Sequence, residues 1–423
     1  MDRPLKLWVG VAATGLIVAL TTSACATSGA AEAAGAAGAA GACSAPGVTP
    51  KELKVGLVFP NTGILATVFR SVRSGVEARI GVANATGGIR GRQISIEWRD
   101  DESDATKNLT ASRDLIENVG VFGILQETSF VSGSAEYLST KGVPVTGLVT
   151  DSTWGKYSNM FTVSNQYADG SNVSTFGLYA KQNGGTRAYL LESTLRASSR
   201  MAAAKLEASL KSQGIRIVGT GDYSDNSTDP AHVAADIRRS GADVIVGAIS
   251  GTGLANVVKA ARAAGVPIKA AFGPDGYYPS LLPQFGPSIA GMAVYIGFTP
   301  FEAHSAALDA YRNAMVQYAP ELNPPDQGTA VMGYITADLF LRGLAAAGDC
   351  PTRNGFIQSL RAVHNYNADG LLAETVDMAT SSIQVSRCYF FVRVNDAATA
   401  FEVVPGGRGT DGKQWCGELV AAE

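Results

Sequence analysis

Histidine and cysteine are scarce in this chain: three and five respectively among 423 residues. No Cys-x-x-Cys pair occurs, and His232, His304 and His364 sit in separate helical stretches without a second ligand nearby. That argues against a Cys/His metal centre. There is no Gly-x-Ser-x-Gly, no His-Glu-x-x-His and no phosphate-binding P-loop. Hydrolase and NTPase chemistry therefore lacks its nucleophile, its metal or its phosphate cradle. Basic charge is not in excess either. The formal net charge is −3 and the pI about 5.8, which leaves no electrostatic footprint for nucleic acid. No apolar run reaches the ~20 residues of a membrane-spanning helix. Charged residues make up 17% and hydrophobic ones 46%, a globular and not a disordered balance.

What the chain does have begins at its first 42 residues. A short basic-leaning start, Asp2-Arg3-Pro4-Leu5-Lys6, precedes an apolar run over 7–20 and the small residues Thr22-Ser23-Ala24 before Cys25. This is the layout of a secretory signal over 1–24. The cysteine after small residues resembles the lipobox of bacterial lipoproteins, in which that Cys carries the lipid, although Thr22 stands where Leu is usual. A plain cleaved signal with an incidental Cys25 is the competing reading. Residues 26–42 are Ala, Gly, Ser and Thr with a single Glu32. We read 25–50 as anchor and linker, of which 26–42 would reach about 20–25 Å as a random coil.

About 370 residues remain past residue 50, more than one core holds and enough for two lobes. Residues 53–59 (LKVGLVF) read as a buried strand, 66–85 as a helix and 92–98 as a strand. Strands are expected again at 119–125, 143–149, 188–192, 215–220, 243–249, 268–272 and 292–298, with helices between them. Such alternation means parallel sheets covered on both faces. The pattern then shifts to three consecutive helices over 303–363, followed by a hairpin at 388–394 and 401–404. Crossings between lobes are expected near 164–169, 297–300 and 370–372. The expectation is an α/β fold of two doubly wound parallel-sheet lobes joined by a three-crossing hinge. The first lobe spans 51–165 with 299–370 and the second 166–298 with 371–423.

Four stretches carry a family resemblance. These are Phe59-Pro60-Asn61-Thr62-Gly63, Asn84-Ala85-Thr86-Gly87-Gly88-Ile89-Arg90-Gly91-Arg92, Arg99-Asp100-Asp101-Glu102-Ser103-Asp104, and Gly273-Pro274-Asp275-Gly276. Together they resemble the type I periplasmic binding proteins of the branched-chain amino acid (Leu/Ile/Val-binding) family. The resemblance implies an extracytoplasmic receptor that delivers a small molecule to an ABC permease in the membrane. It implies no cofactor and no catalysis, and we expect a monomer. Relatives often carry a disulfide at places occupied here by Ser103 and Gln126. The loop after the third strand, Gln126-Glu127-Thr128-Ser129-Phe130, gains a charge and an aromatic ring.

Four cysteines remain besides Cys25, and in an exported chain they read as two disulfides. Three pairings are possible on paper. The helix over 330–346 should end on the far side of the first lobe, bringing Cys350 toward Cys43. That leaves Cys388 with Cys416 beside the final hairpin.

Ligands of open parallel sheets bind beyond the carboxyl ends of the strands, and clefts between domains favour the same place. The loops that qualify are 61–63, 127–130, 149–150, 165–167, 193–194, 250–252 and 275–277. The candidate ligand contacts are Thr62, Glu127, Thr128, Ser129, Val149, Thr150, Tyr167, Ser250, Asp275 and Tyr277. Hydroxyls and N–H groups at Thr128, Ser129 and Thr150 suit a carboxylate. Asp275 suits an ammonium, while Tyr167 and Tyr277 offer apolar faces. Glu127 is out of place beside an anion site: it points away, or the ligand carries an extra positive group or hydroxyl. Ser250-Gly251-Thr252-Gly253-Leu254-Ala255-Asn256 imitates a dinucleotide fingerprint, but its third glycine is Asn256, and tight strand-to-helix packing explains it. The reading is a binding protein for an amino acid or related organic acid. The alternative is a sensor reporting to a signalling partner.

Overall fold

Strand β1 (Glu52–Phe59) is apolar along most of its length because both its faces are covered. Val55, Leu57 and Phe59 join one core cluster while Val58 joins the other. The structure is a computed structural model in which residues 43–193, 197–409 and 412–421 are described. The signal segment, Cys25 and Thr194 lie outside the described residues.

In the first lobe β1 pairs with β2 (Gln93–Asp100) and β3 (Ile124–Gln126), and β4 (Val145–Gly147) and β5 (Met160–Phe161) complete a five-stranded, wholly parallel sheet. Its early helices are α1 (Ala66–Phe69), α2 (Val72–Ala85), α3 (Ala105–Arg113) and α4 (Ala135–Thr140). The single helix expected over 66–85 is thus two pieces.

The second lobe contains β6 (Ser171–Val173), α5 (Thr175–Gln182), β7 (Arg187–Glu192), α6 (Ala197–Ser212), β8 (Arg216–Asp222), α7 (Pro230–Ser240), β9 (Val244–Gly247), α8 (Gly251–Ala263), β10 (Ala270–Gly273), α9 (Leu281–Phe285) and β11 (Met292–Ile296). The chain returns to the first lobe as α10 (Ala306–Tyr318), α11 (Gly328–Ala346) and α12 (Arg353–Arg361). Helix α11 lies so close to α2 that a Cβ on Gly75 would sit 1.8 Å from the Ala330 carbonyl oxygen. The chain then re-enters the second lobe as β12 (Cys388–Val394), β13 (Phe401–Val404), β14 (Trp415–Cys416) and β15 (Leu419–Ala421). The second sheet runs β13-β12-β11-β10-β9-β7-β8, parallel from β11 to β8 and antiparallel at its last two strands.

The three crossings are tied together by hydrogen bonds. Phe298 bridges Leu372 in antiparallel fashion, with the Thr299 N–H donating to the Leu371 carbonyl at 2.8 Å and the Ala373 N–H to the Gly297 carbonyl at 3.0 Å. The Asn165 N–H donates to Ser386 Oγ at 3.0 Å, and the Ser386 N–H returns a bond to the Asn165 carbonyl at 2.7 Å. Loop segments at the ends of elements, held in this way, are the kind of place where hinges lie.

Residues 43–50, read from the sequence as the end of a flexible linker, are instead fixed to the first lobe. Cys43 is bonded to Cys350 with Cα atoms 5.2 Å apart. Val48 is buried and the Gly47 carbonyl accepts from the Lys54 N–H at 2.9 Å. The Cys43–Cys350 pairing was expected, but the packing of Val48 was not, because one valine among small residues has no periodicity. Cys388 is bonded to Cys416 across the β12–β14 ladder. No helix among the described residues is long and apolar enough to cross a membrane.

Candidate ligand-binding site

The strand ends of both sheets carry the loops expected to meet a ligand, but their side chains divide into committed and uncommitted groups. In the loop after β1, Asp100 accepts from the N–H groups of Asn61 (2.9 Å) and Thr62 (3.2 Å), from the Thr62 hydroxyl (2.7 Å) and from the Glu102 N–H (2.8 Å). Burial acts to raise its pKa, and these donors outweigh burial and hold it below the usual carboxylate value. Thr62 is exposed, yet its hydroxyl already serves Asp100. Gly63 has φ +83°, and a Cβ there would lie 2.3 Å from the Glu102 carbonyl oxygen, so the loop needs glycine.

The loop after β3 differs most from expectation. Glu127 is wholly buried, and neither carboxyl oxygen has a well-formed hydrogen bond. Desolvation pushes its pKa up to about 8, with the Thr336 hydroxyl on α11 offsetting only a little. The side chain is thus buried beside Thr336 of α11 and not exposed on the loop surface. Thr128 is equally buried. Its hydroxyl donates to Asp101 Oδ2 at 2.5 Å and accepts from the Phe130 N–H at 3.1 Å, so it is already engaged within the lobe. Ser129 and Phe130 are half-buried, and the Ser129 hydroxyl has no partner among the described residues. After β4, Val149 is a core residue, whereas Thr150 is buried with an unpartnered hydroxyl.

On the second lobe Ser250 caps α8. Its Oγ accepts from the Gly253 N–H at 2.9 Å and donates to both carboxylate oxygens of Asp225, at 2.8 and 2.7 Å. Asp275 is half-buried and accepts from the Gly251 N–H at 2.8 Å. The start of a helix favours a carboxylate in that place. The Tyr278 hydroxyl lies 3.5 Å from Asp275, and burial followed by that carboxylate raises its pKa. Tyr277, read as a ligand face, is buried. Its hydroxyl donates to Glu302 and accepts from the Phe301 N–H. Tyr167 is also mostly buried, in the cluster that holds Val173 and Phe176.

Asp225 and Tyr278 escaped the sequence reading. Asp225 follows edge strand β8, whose loop was not counted among the strand ends. Tyr278 adjoins Tyr277, and a turn has no period that says which of the two faces out. Two cavities, a groove of about 590 Å³ between α7 and α8 and one of about 370 Å³ beside the Arg79–Asp338 pair, lie on outer helices away from these loops. The candidate site therefore rests on strand-end chemistry and not on enclosed volume. No cluster of metal-ligating side chains occurs among the described residues.

Residues 52–399 match the profile of the periplasmic binding protein family. The chain belongs to that family. Its members are substrate-binding proteins that work outside the cytoplasm. The Leu/Ile/Val-binding protein homolog 7 of Brucella suis is 25% identical over 323 residues, covering 69% of this chain and 77% of that protein. Among solved structures, a fatty acid ABC transporter substrate-binding protein from Thermomonospora curvata has a TM-score of 0.72 at 20% identity, over 86% of this chain and 94% of that one. The branched-chain amino acid transporter substrate binding protein LivJ from Streptococcus pneumoniae, in complex with isoleucine, has a TM-score of 0.69 at 17% identity, over 84% and 99%. These likenesses establish the shared two-lobed fold.

Proposed function

We propose that this periplasmic binding protein is the substrate-binding lipoprotein of an ABC importer. It is anchored to the outer face of the cell membrane through Cys25, and it closes its lobes over a small amino acid or related organic acid. The observation that carries the reading is Asp275: a half-buried carboxylate at the strand end of the second lobe, oriented by the start of α8 and reachable by an ammonium. Such a charge-assisted bond contributes about 1.5–3 kcal/mol. On the first lobe, the half-buried Ser129 hydroxyl and the buried, unpartnered Thr150 hydroxyl are the candidates for a carboxylate. The Brucella relatives named as Leu/Ile/Val-binding homologues and the isoleucine complex of the structural neighbour support this class.

A second reading is favoured by Ile64 and Val68. Both are exposed large hydrophobics, 77% and 40%, placed i, i+4 just past the 61–63 loop. An organic acid with a hydrocarbon tail would cover them, in keeping with the fatty acid transporter neighbour. A thermal-shift panel of the L-amino acids beside short- and long-chain carboxylates separates the two. Ligand that binds the folded state raises the melting temperature. A rise with amino acids alone supports the first reading, a rise with long-chain acids alone supports the second, and no rise across the panel contradicts both.

A further inference from the structure

We propose that Asn108, a residue of α3, is the positioning residue for the loop 127–130. The ligand-facing half of this inference rests on the binding function proposed above, while the structural half stands on geometry alone. Asn108 Nδ2 donates to Gln126 Oε1 at 3.0 Å and to Asp101 Oδ2 at 3.2 Å, and its Oδ1 accepts from the Ser134 hydroxyl at 2.6 Å. Gln126 Nε2 in turn donates to Ser134 Oγ at 3.2 Å and to Ser112 Oγ at 3.0 Å. Asn108, Gln126 and Ser134 thus form a closed ring. A branch leaves the ring at Asn108: Asp101 receives the Thr128 hydroxyl, which receives the Phe130 N–H.

Asp101, Asn108, Ser112, Gln126, Thr128 and Ser134 all have zero exposure. Water cannot replace a partner that moves, so each bond is held by the cost of leaving its neighbour unpaired. Asn108 is the one side chain that joins the end of β3 to the Asp101–Thr128 branch. Its amide turns Thr128 inward. The residues left at the cleft side of the loop are then Ser129 and Phe130, one hydroxyl and one aromatic ring in place of two hydroxyls. Asn108 shapes what the loop presents without reaching the ligand.

The test compares three variants of the full chain by amide hydrogen exchange without ligand. Asn108→Ala opens the ring and detaches the branch from it, Thr128→Val cuts the branch alone with little change in shape, and Ser134→Ala opens the ring while leaving the branch attached. We expect exchange in 127–132 to accelerate about 10-fold or more in the first two and by less than about 3-fold in the third, with β1 and β7 unchanged in all. A merely structural network would loosen equally in all three. Equal acceleration, or none in Asn108→Ala and Thr128→Val, overturns the proposal. Should Asn108→Ala not fold, Asn108→Ser, too short to reach both Gln126 and Asp101, takes its place in the comparison. Because the readout needs no ligand, failure to bind any amino acid would sink the proposed function and leave this test standing.

Discussion

Tyr277 of the second lobe donates its hydroxyl to Glu302, which lies beyond the second crossing, and accepts the Phe301 N–H at 2.8 Å. Its ring stacks on Phe301 with centroids 5.2 Å apart and meets the edge of Phe401 at 5.1 Å. Phe301 continues to Tyr311 at 6.5 Å. An aromatic ladder therefore runs from β13 in the second lobe through the hinge to α10 in the first. Asp275, the proposed ammonium acceptor, is two residues from its anchor. The loop that carries Asp275 is therefore fastened to the hinge.

Replacing Tyr277 with Phe keeps the ladder but removes the hydroxyl. The buried Phe301 N–H then loses its acceptor, whereas Glu302 is exposed and water can replace the lost donor. The expected loss is about 1–3 kcal/mol of unfolding free energy, read by urea denaturation. Unchanged stability would show that the bond holds nothing.

Asp275→Ala leaves the Gly251 N–H at the start of α8 without its acceptor and removes the proposed ammonium contact. Affinity for the amino acid that gives the largest thermal shift should fall about 10–100-fold by calorimetry. An unaltered dissociation constant refutes the ammonium role.

Glu127 gives a pH signature with a definite sign. An acid whose pKa rises on folding, here from 4.5 to about 8, binds its proton more tightly in the native state. Its contribution to stability is complete below pH 4.5, fades as pH rises and is gone above about 8. The slope approaches about 1.4 kcal/mol per pH unit at its steepest. Glu127→Gln, which cannot ionise, should therefore gain on the native protein as pH goes from 5.5 to 8.5. Parallel urea-stability profiles for the two proteins would contradict a buried, protonated Glu127.

Cys25→Ser tests the anchor, which lies outside the described residues. The native protein should partition into a detergent phase and the variant into the aqueous phase. Identical partitioning would favour the plain signal reading.

The fold was legible because its signals are periodic or sterically forced. The apolar run of β1 repeats in strand after strand, and Gly88 in the 84–92 turn is obligatory. Its φ is +74°, and a Cβ would lie 1.9 Å from the Arg92 carbonyl oxygen. For the candidate site, the loops were legible and the directions of their side chains were not. Strand order indicates which loops line the cleft, and Ser129, Thr150 and Asp275 come from that rule. It does not indicate which side chain in an aperiodic loop turns inward, and Glu127, Thr128 and Tyr277 are buried for that reason. Ser103 and Gln126 illustrate the limit. The resemblance marked them as the places of a missing disulfide, and only three-dimensional geometry reveals the polar network there. Ser103 accepts the Leu65 N–H and donates to the Thr62 carbonyl, both at 3.1 Å, while Gln126 closes the ring with Asn108.

Closure of two lobes over a captured solute is best tested by small-angle X-ray scattering with and without the compound that most raises the melting temperature. A saturating ligand should reduce the radius of gyration of the native protein, and the same concentration should leave Asp275→Ala unchanged. A radius that stays constant in the native protein while calorimetry reports full occupancy would contradict the account.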